Sequence, residues 1–312
     1  MTTTPALPPL AGVIPPVCTP LTADGDVDVA SLERLVGHLL TAGVHGLFPL
    51  GSTGEVAFLT DEQRRQVVDT VSRVAAGQVP VVAGVIDMTT PRVLPHIRQA
   101  ESAGADAVVV TAPFYTRTHP VEIAAHFRII AASTALPVIA YDIPVSVHSK
   151  LSPSLVLELA EEGVLAGIKD SSGDDAGIRG LVLGAKTFTD RFSVLTGSEL
   201  TVDAALAFGA QGVVPGLGNV DPDGYVRLWD AAQAGDTATA AREQERLFTL
   251  FDLVNAGDTA RMGPASSALG AFKAALHLRG IIDCPRTADP YVQLDDSEVD
   301  HVRARLAAAG LL

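Results

Sequence analysis

Four lysines occur in the chain, Lys150, Lys169, Lys186 and Lys273, and every other cationic side chain is arginine. One of them, Lys169, closes the apolar run Val164-Leu165-Ala166-Gly167-Ile168 and precedes the polar turn Asp170-Ser171-Ser172-Gly173-Asp174. An ammonium at the end of a buried run is partly desolvated. That favours the neutral amine, the form that attacks a carbonyl and makes a Schiff base. The plainer alternative is a lysine snorkelling from a strand end to pair with Asp170 or Asp174. Tyrosine is as scarce, and of the four present Tyr115 and Tyr141 both stand where apolar runs end. A phenol is donor and acceptor, so either could carry protons to and from such an adduct, or could hydrogen-bond a rim loop and do no more.

Two glycine-rich turns invite an anion. Gly51-Ser52-Thr53-Gly54-Glu55 combines close backbone approach at its glycines with two hydroxyls and several amide N–H groups ahead of a helix. That makes a carboxylate or phosphate cradle, or else a tight turn with a hydroxyl cap. The stretch Gly212-Val213-Val214-Pro215-Gly216-Leu217-Gly218 reads the same two ways, as a phosphate site or as a sharp rim turn. Of the eight histidines only His119 and His148 fall in rim loops, and no HxH or HExxH occurs. Metal chemistry is therefore not expected. Cys18 and Cys284 lie far apart without metal-ligand spacing, so neither a zinc site nor a disulfide framework is expected, and the compartment reads as reducing.

These residues need a scaffold that brings strand ends together. Short apolar runs at 12–19, 46–49, 79–84, 107–111, 137–141, 165–169, 193–196 and 212–214 alternate with helical periodicity at 29–40, 61–75, 91–103, 121–133, 153–161, 176–185 and 200–208. Runs such as VVAG, AVVVT and VIAY are apolar throughout, as strands of a parallel sheet covered on both faces must be. About eight such units predict an α/β fold, a (β/α)8 TIM barrel, with its active site at the C-terminal strand ends. Thr60 and Ser152 are expected to cap helices, and Gly43, Gly104 and Gly163 to end them. After Pro222 the strand signal stops and helical stretches follow at 222–234, 237–255, 266–279 and 297–306. The division expected is a catalytic barrel over 1–235 and a C-terminal helical appendix over 236–312.

The 312 residues carry 22 basic against 36 acidic side chains, a formal charge of −14, with no basic cluster longer than Arg64-Arg65. Nucleic acid and anionic membrane surfaces are poor partners for such a chain. The N-terminal stretch MTTTPALPPL shows neither a basic leader nor an apolar core, and no run of about 18 apolar residues occurs. A cytoplasmic protein is expected.

Taken together, GSTGE after the second run, PFY after the fourth, YDIP at the fifth and GIKDSSGD at the sixth resemble the pyruvate-dependent Schiff-base class I aldolases, the family of dihydrodipicolinate synthase and N-acetylneuraminate lyase. The likeness covers nearly the whole chain. It implies that Lys169 forms the imine with pyruvate without a further cofactor, that Tyr141 relays protons, and that Ser52 and Thr53, beside Gly51, hold the pyruvate carboxylate. By the same resemblance Tyr115 reaches into the proton relay of a neighbouring subunit, which implies a homotetramer or a dimer. The resemblance also implies that Gly197, Ser198 and the backbone at Val214 line the pocket.

One departure bears on substrate. Dihydrodipicolinate synthases carry an arginine two residues past the proline of Y-x-x-P, gripping the carboxylate of aspartate semialdehyde. Here that position is Ser146, and a hydroxyl does not replace a bidentate guanidinium. Together with Gly197-Ser198-Glu199, Asp142 and His148, this resembles the sugar-acid branch, with polar groups meeting substrate hydroxyls. The expected activity is an aldolase or lyase joining pyruvate to an aldehyde, or cleaving a 2-oxo acid such as a deoxy sugar acid. Two alternatives are a dihydrodipicolinate synthase in which Arg117 supplies the missing contact, and a non-catalytic pyruvate-binding regulatory relative.

Overall fold

The computed structural model describes residues 8–312; the expectation of a chain without a leader falls, over residues 1–7, outside the described residues. Seven strands, β1 (Gly12–Val13), β2 (Val82–Gly84), β3 (Ala107–Thr111), β4 (Val138–Asp142), β5 (Gly167–Asp170), β6 (Ser193–Thr196) and β7 (Gly212–Val213), form one parallel sheet in the order β1-β7-β6-β5-β4-β3-β2. Residues 45–49 bridge its two edges. On one side the His45 N–H donates to Val13 O at 2.8 Å and the Val17 N–H to Phe48 O at 3.0 Å. On the other, Leu47 donates to Pro80 O at 2.9 Å and Val82 to Leu47 O at 2.8 Å. The sheet thereby curls onto itself as a TIM-barrel-like α/β fold.

The run expected as a strand at 46–49 is thus a single bridge, Leu47↔Val81, rather than a ladder. Proline is the reason. Pro15, Pro16, Pro49 and Pro80 have no N–H to give, so β1 stops at Val13 instead of running to Thr19 and β2 begins only at Val82. The other strand positions lie within two residues of expectation.

Alternation along the strands sorts side chains into two buried clusters. Phe48, Val82, Val109, Ile139, Tyr141, Leu195 and Val214 fill the barrel interior, while Val138, Ala140 and Ile168 join the layer between sheet and helices. Thr60 caps helix Asp61–Ala75 through a capping box with Gln63, and Ser152 accepts from Leu155 N–H at 3.3 Å to start helix Pro153–Glu161. Gly43, Gly104 and Gly163 follow their helices at φ of 81°, 80° and 74°. A four-residue helix, Pro144–Val147, occupies what reads in sequence as a loop. The helix expected at 200–208 shortens to Val202–Ala207, because Ser198 and Thr201 hydroxyls bond each other at 2.9 Å ahead of it.

Helices Pro222–Gln233, Thr237–Phe251, Pro264–Leu278 and Asp296–Ala308 follow β7. A 3-10 turn, Asp252–Asn255, replaces the last part of the helix expected over 237–255. His45 and Trp229 meet edge to face with centroids 5.6 Å apart, so the first of these helices packs against the segment that closes the barrel. No helix among the described residues is long and apolar enough to cross a membrane.

Candidate active site

The parallel register places Tyr141 opposite Lys169 and Asp142 opposite Asp170. Side chains alternate, so the first pair points into the barrel and the second points out. Lys169 is buried, with Nζ 4.2 Å from the centroid of the Tyr141 ring and 5.0 Å from that of Phe48. Beneath it lies an apolar hollow of about 10 Å3, walled by Phe48, Ile139, Leu195 and Val214, scarcely room for one water and without groups to hold it. Among the described residues no carboxylate stands within ion-pair distance of Lys169. Asp170 pairs with Lys150 at 3.3 Å, and Asp174 caps the next helix by accepting from Gly177 N–H at 2.8 Å. The snorkelling alternative is therefore not what the fold adopts.

Asp142 is not a rim group as expected. It is fully buried on the outer face of β4, ion-paired with Lys150 and accepting from the Leu151 N–H at 3.1 Å. Burial pushes its carboxyl above the usual range despite the Lys150 ammonium. This cluster fastens the 143–151 loop to the backs of the two strands that carry Tyr141 and Lys169.

Ser52 Oγ lies 3.4 Å from the Tyr141 hydroxyl. Burial would push the Tyr141 phenol up, but the Lys169 charge and hydrogen bonding with Ser52, Lys169 and Ser171 outweigh it and hold the phenol below its ordinary value. Ser52 also opens onto a cavity of about 240 Å3, walled by Thr111, Phe114, Ile143, Ser146 and Val147. Ser146 thus sits at the mouth, and His148 is exposed beyond it. Gly51 packs its backbone on Phe48, where a Cβ would come 2.9 Å from the ring. At Gly197 a Cβ would meet Ser171 Oγ at 1.9 Å, so the glycine leaves room for the Ser171 hydroxyl.

On the opposite rim, Glu199 accepts from Leu217 N–H at 2.7 Å and from the Tyr225 hydroxyl at 3.4 Å. Burial pushes its carboxyl up to about 7, although the Leu217 and Gly216 N–H groups and the Lys169 charge favour the anion. Val214 donates to Thr196 O at 2.9 Å, and Ser198 N–H to Thr196 Oγ1 at 3.1 Å. Thr53 is partly exposed beside Ser52. Tyr115 stays apart: it is 90% exposed at φ 72°. Cys18 is no nucleophile, since burial pushes its thiol up to about 12. No group of three His, Cys, Asp or Glu among the described residues could hold a metal ion.

Sequence reasoning missed Phe48, Ser171 and Lys150. Phe48 is readable in principle, as the inward residue just before the GSTGE turn. Lys150 carries no local signal, because its two carboxylates come from different strands. Two larger hollows, of about 610 and 590 Å3, open at the opposite, N-terminal strand ends, away from these groups.

The site thus sets a buried lysine and a phenol side by side at neighbouring strand ends of a barrel-like parallel sheet. The sequence matches the model of the dihydrodipicolinate synthetase family over residues 9–309, and the chain belongs to that family, an enzyme of the class I aldolases and lyases. It is 36% identical over 303 residues to an uncharacterised DapA-like lyase of Halobacterium salinarum, covering 97% of this chain and 95% of that one. It is 33% identical over 304 residues to the 4-hydroxy-tetrahydrodipicolinate synthase of Laribacter hongkongensis, covering 97% and 100%. Among solved structures, the dihydrodipicolinate synthase of Bacteroides thetaiotaomicron superposes with a TM-score of 0.90 at 31% identity over 97% of this chain and 99% of that one. A prophage protein of the same family from E. coli K12, in complex with pyruvate, gives 0.89 at 30% identity with the same coverage.

Proposed function

We propose that Lys169 condenses with the C2 carbonyl of pyruvate or a longer 2-oxo acid, and that the enzyme makes or breaks the bond between C3 and C4 of a 2-oxo acid such as a deoxy sugar acid. The observation that carries this reading is the buried Lys169 amine, without a carboxylate partner among the described residues and held against the Tyr141 phenol by strand register. The amine adds to C2, Tyr141 delivers a proton to the departing oxygen, and water leaves. The resulting iminium withdraws electrons from the C3–C4 bond. In the cleavage direction the deprotonated Tyr141 takes the proton of the C4 hydroxyl, an aldehyde departs and an enamine remains, which takes that proton back at C3 before hydrolysis returns pyruvate and free Lys169. No separate cofactor is needed. Ser52 and Thr53, beside Gly51, hold the substrate carboxylate so that C2 lies near the amine. The far end of the substrate extends toward Ser146, where hydroxyls on the substrate find a hydroxyl partner rather than a cation.

Borohydride reduction with pyruvate, read by intact mass, tests the imine: the wild-type chain gains the reduced pyruvate adduct and Lys169→Ala does not. Capture by Lys169→Ala would overturn the assignment. A second reading, condensation of pyruvate with aspartate semialdehyde, is favoured by the relatives named 4-hydroxy-tetrahydrodipicolinate synthase. Turnover of the semialdehyde faster than any hydroxyaldehyde would establish it.

We further propose that the protein acts as a homotetramer or a dimer, with Tyr115 completing a neighbour's relay. Its 90% exposure, and the 80% exposure of Val145, support that reading. Residues 1–235 we take as the catalytic barrel and 236–312 as its helical extension.

A further inference from the structure

Glu55 closes the GSTGE turn yet has no part in the chemistry above. Its side chain is fully buried and ion-paired with the equally buried Lys273, on helix Pro264–Leu278 near the far end of the chain. The other carboxylate oxygen accepts from the Ala288 N–H at 2.8 Å, and Lys273 Nζ donates to Arg286 O at 2.8 Å. Three separate segments, the 51–55 turn, the helix and the 286–288 strap, therefore meet at one pair of charges. The strap is itself held, since Gln293 accepts from Thr287 N–H at 3.0 Å. A second tie lies nearby, where Phe58 and Tyr291 rings meet with centroids 4.5 Å apart.

The backbone of Glu55 is left-handed, at φ 58°, a region that a residue with a Cβ keeps only where its surroundings impose it. The ion pair and the Ala288 N–H hold its side chain in place here. The Glu55 N–H donates to Ser52 O at 3.0 Å, and the Gly54 carbonyl accepts from Thr19 Oγ1 at 2.8 Å. A turn of the Glu55 backbone would thus carry Ser52 away from the Tyr141 hydroxyl. Two apolar residues could serve stability as well as a buried ion pair does, so the distinctive yield of this pair is a fixed position.

We propose that Glu55 and Lys273 are positioning residues: their ion pair sets the Ser52-Thr53 segment for the substrate carboxylate and makes helix Pro264–Leu278 part of the active-site frame. The catalytic half of this rests on the reading of Ser52 and Thr53 given above. The test uses the full chain as Glu55→Gln, which keeps an acceptor for Ala288, and as Glu55→Gln with Lys273→Met, which removes both charges together. Hydrogen exchange over residues 50–56 is expected to quicken about tenfold or more in both, with β5 unchanged. The pyruvate concentration for half-maximal borohydride capture at Lys169 is expected to rise about tenfold, while capture at saturating pyruvate stays within about threefold. Unchanged exchange over 50–56, or an unchanged half-saturation, would overturn the proposal. If the wild-type chain captures no pyruvate, the imine reading falls, and exchange alone still decides whether the pair holds the turn. Should the double variant fail to fold, Glu55→Gln carries both measurements.

Discussion

On the proposed chemistry, Tyr141 and Lys169 share one task. The Lys169 charge beside Tyr141 favours the phenolate, so the loss of its proton is expected below the ordinary tyrosine range despite burial. The alkaline limb of the rate profile should therefore fall below pH 10, and Tyr141→Phe should remove that limb. The same variant is expected to slow borohydride-detected imine formation by about two to four decades. Retention of the wild-type rate would point to another acid. At Ser146 the question is recognition. A guanidinium there gains a charge-assisted bond to a substrate carboxylate, roughly 1.5 to 3 kcal/mol. Ser146→Arg should accordingly raise turnover of aspartate semialdehyde by about one to two decades and lower that of hydroxyaldehydes, measured side by side as kcat/KM.

At the level of elements, the barrel was readable because apolar runs and amphipathic stretches alternate without a break, and because Lys169 and Tyr141 terminate two of those runs. Strand lengths were less readable. An apolar run does not reveal that Pro15, Pro16, Pro49 and Pro80 withhold the hydrogen bonds a ladder needs. The helix Pro144–Val147 is too short for its period to show. The Asp142–Lys150–Asp170 cluster was misread in part, since facing in or out follows from the pleat and not from residue type. Lys150→Met leaves two buried carboxylates without their cation and should destabilise the fold by about 3 kcal/mol, read from the urea midpoint. Close approach also dictates Gly84, where a Cβ would lie 2.0 Å from the Leu50 carbonyl oxygen. Gly84→Ala must shift backbone rather than a flexible side chain, and its loss of thermal stability should exceed that of a matched change at Gly37, where nothing lies within 4 Å.

For the molecule as a whole, two buried groups set opposing pH trends. Glu199 is pushed from 4.5 up to about 7, so the folded state holds its proton longer than the unfolded chain, and stability falls as pH rises across that window. His126 is lowered by burial from 6.5 to about 4, so stability falls as pH drops through that range. The two slopes offset each other in part around and below pH 6.5, where His38 and His45, also lowered by burial, act in the same direction as His126. Relative to the wild type, the melting temperature of Glu199→Gln should therefore fall less, or rise more, as pH climbs from 6.5 to 7, with the acid-side decline left in place. Assembly is checked by light scattering: a multiple of 32.3 kDa is expected, and a fully active monomer would remove the role proposed for Tyr115 across subunits.

The pairing of Tyr141 with Lys169 is fixed by main-chain bonds between adjacent strands, whereas Ser146 rides on a separate short helix. On the proposed chemistry, reactivity and choice of partner are thereby written in different parts of the chain. Exchanging residues 143–149 for those of a relative is expected to change which aldehyde is accepted without retuning the amine and its phenol, while Lys150 stays behind to anchor the graft. A lineage could in this way wander among substrates through one short segment, at little risk to the reaction itself.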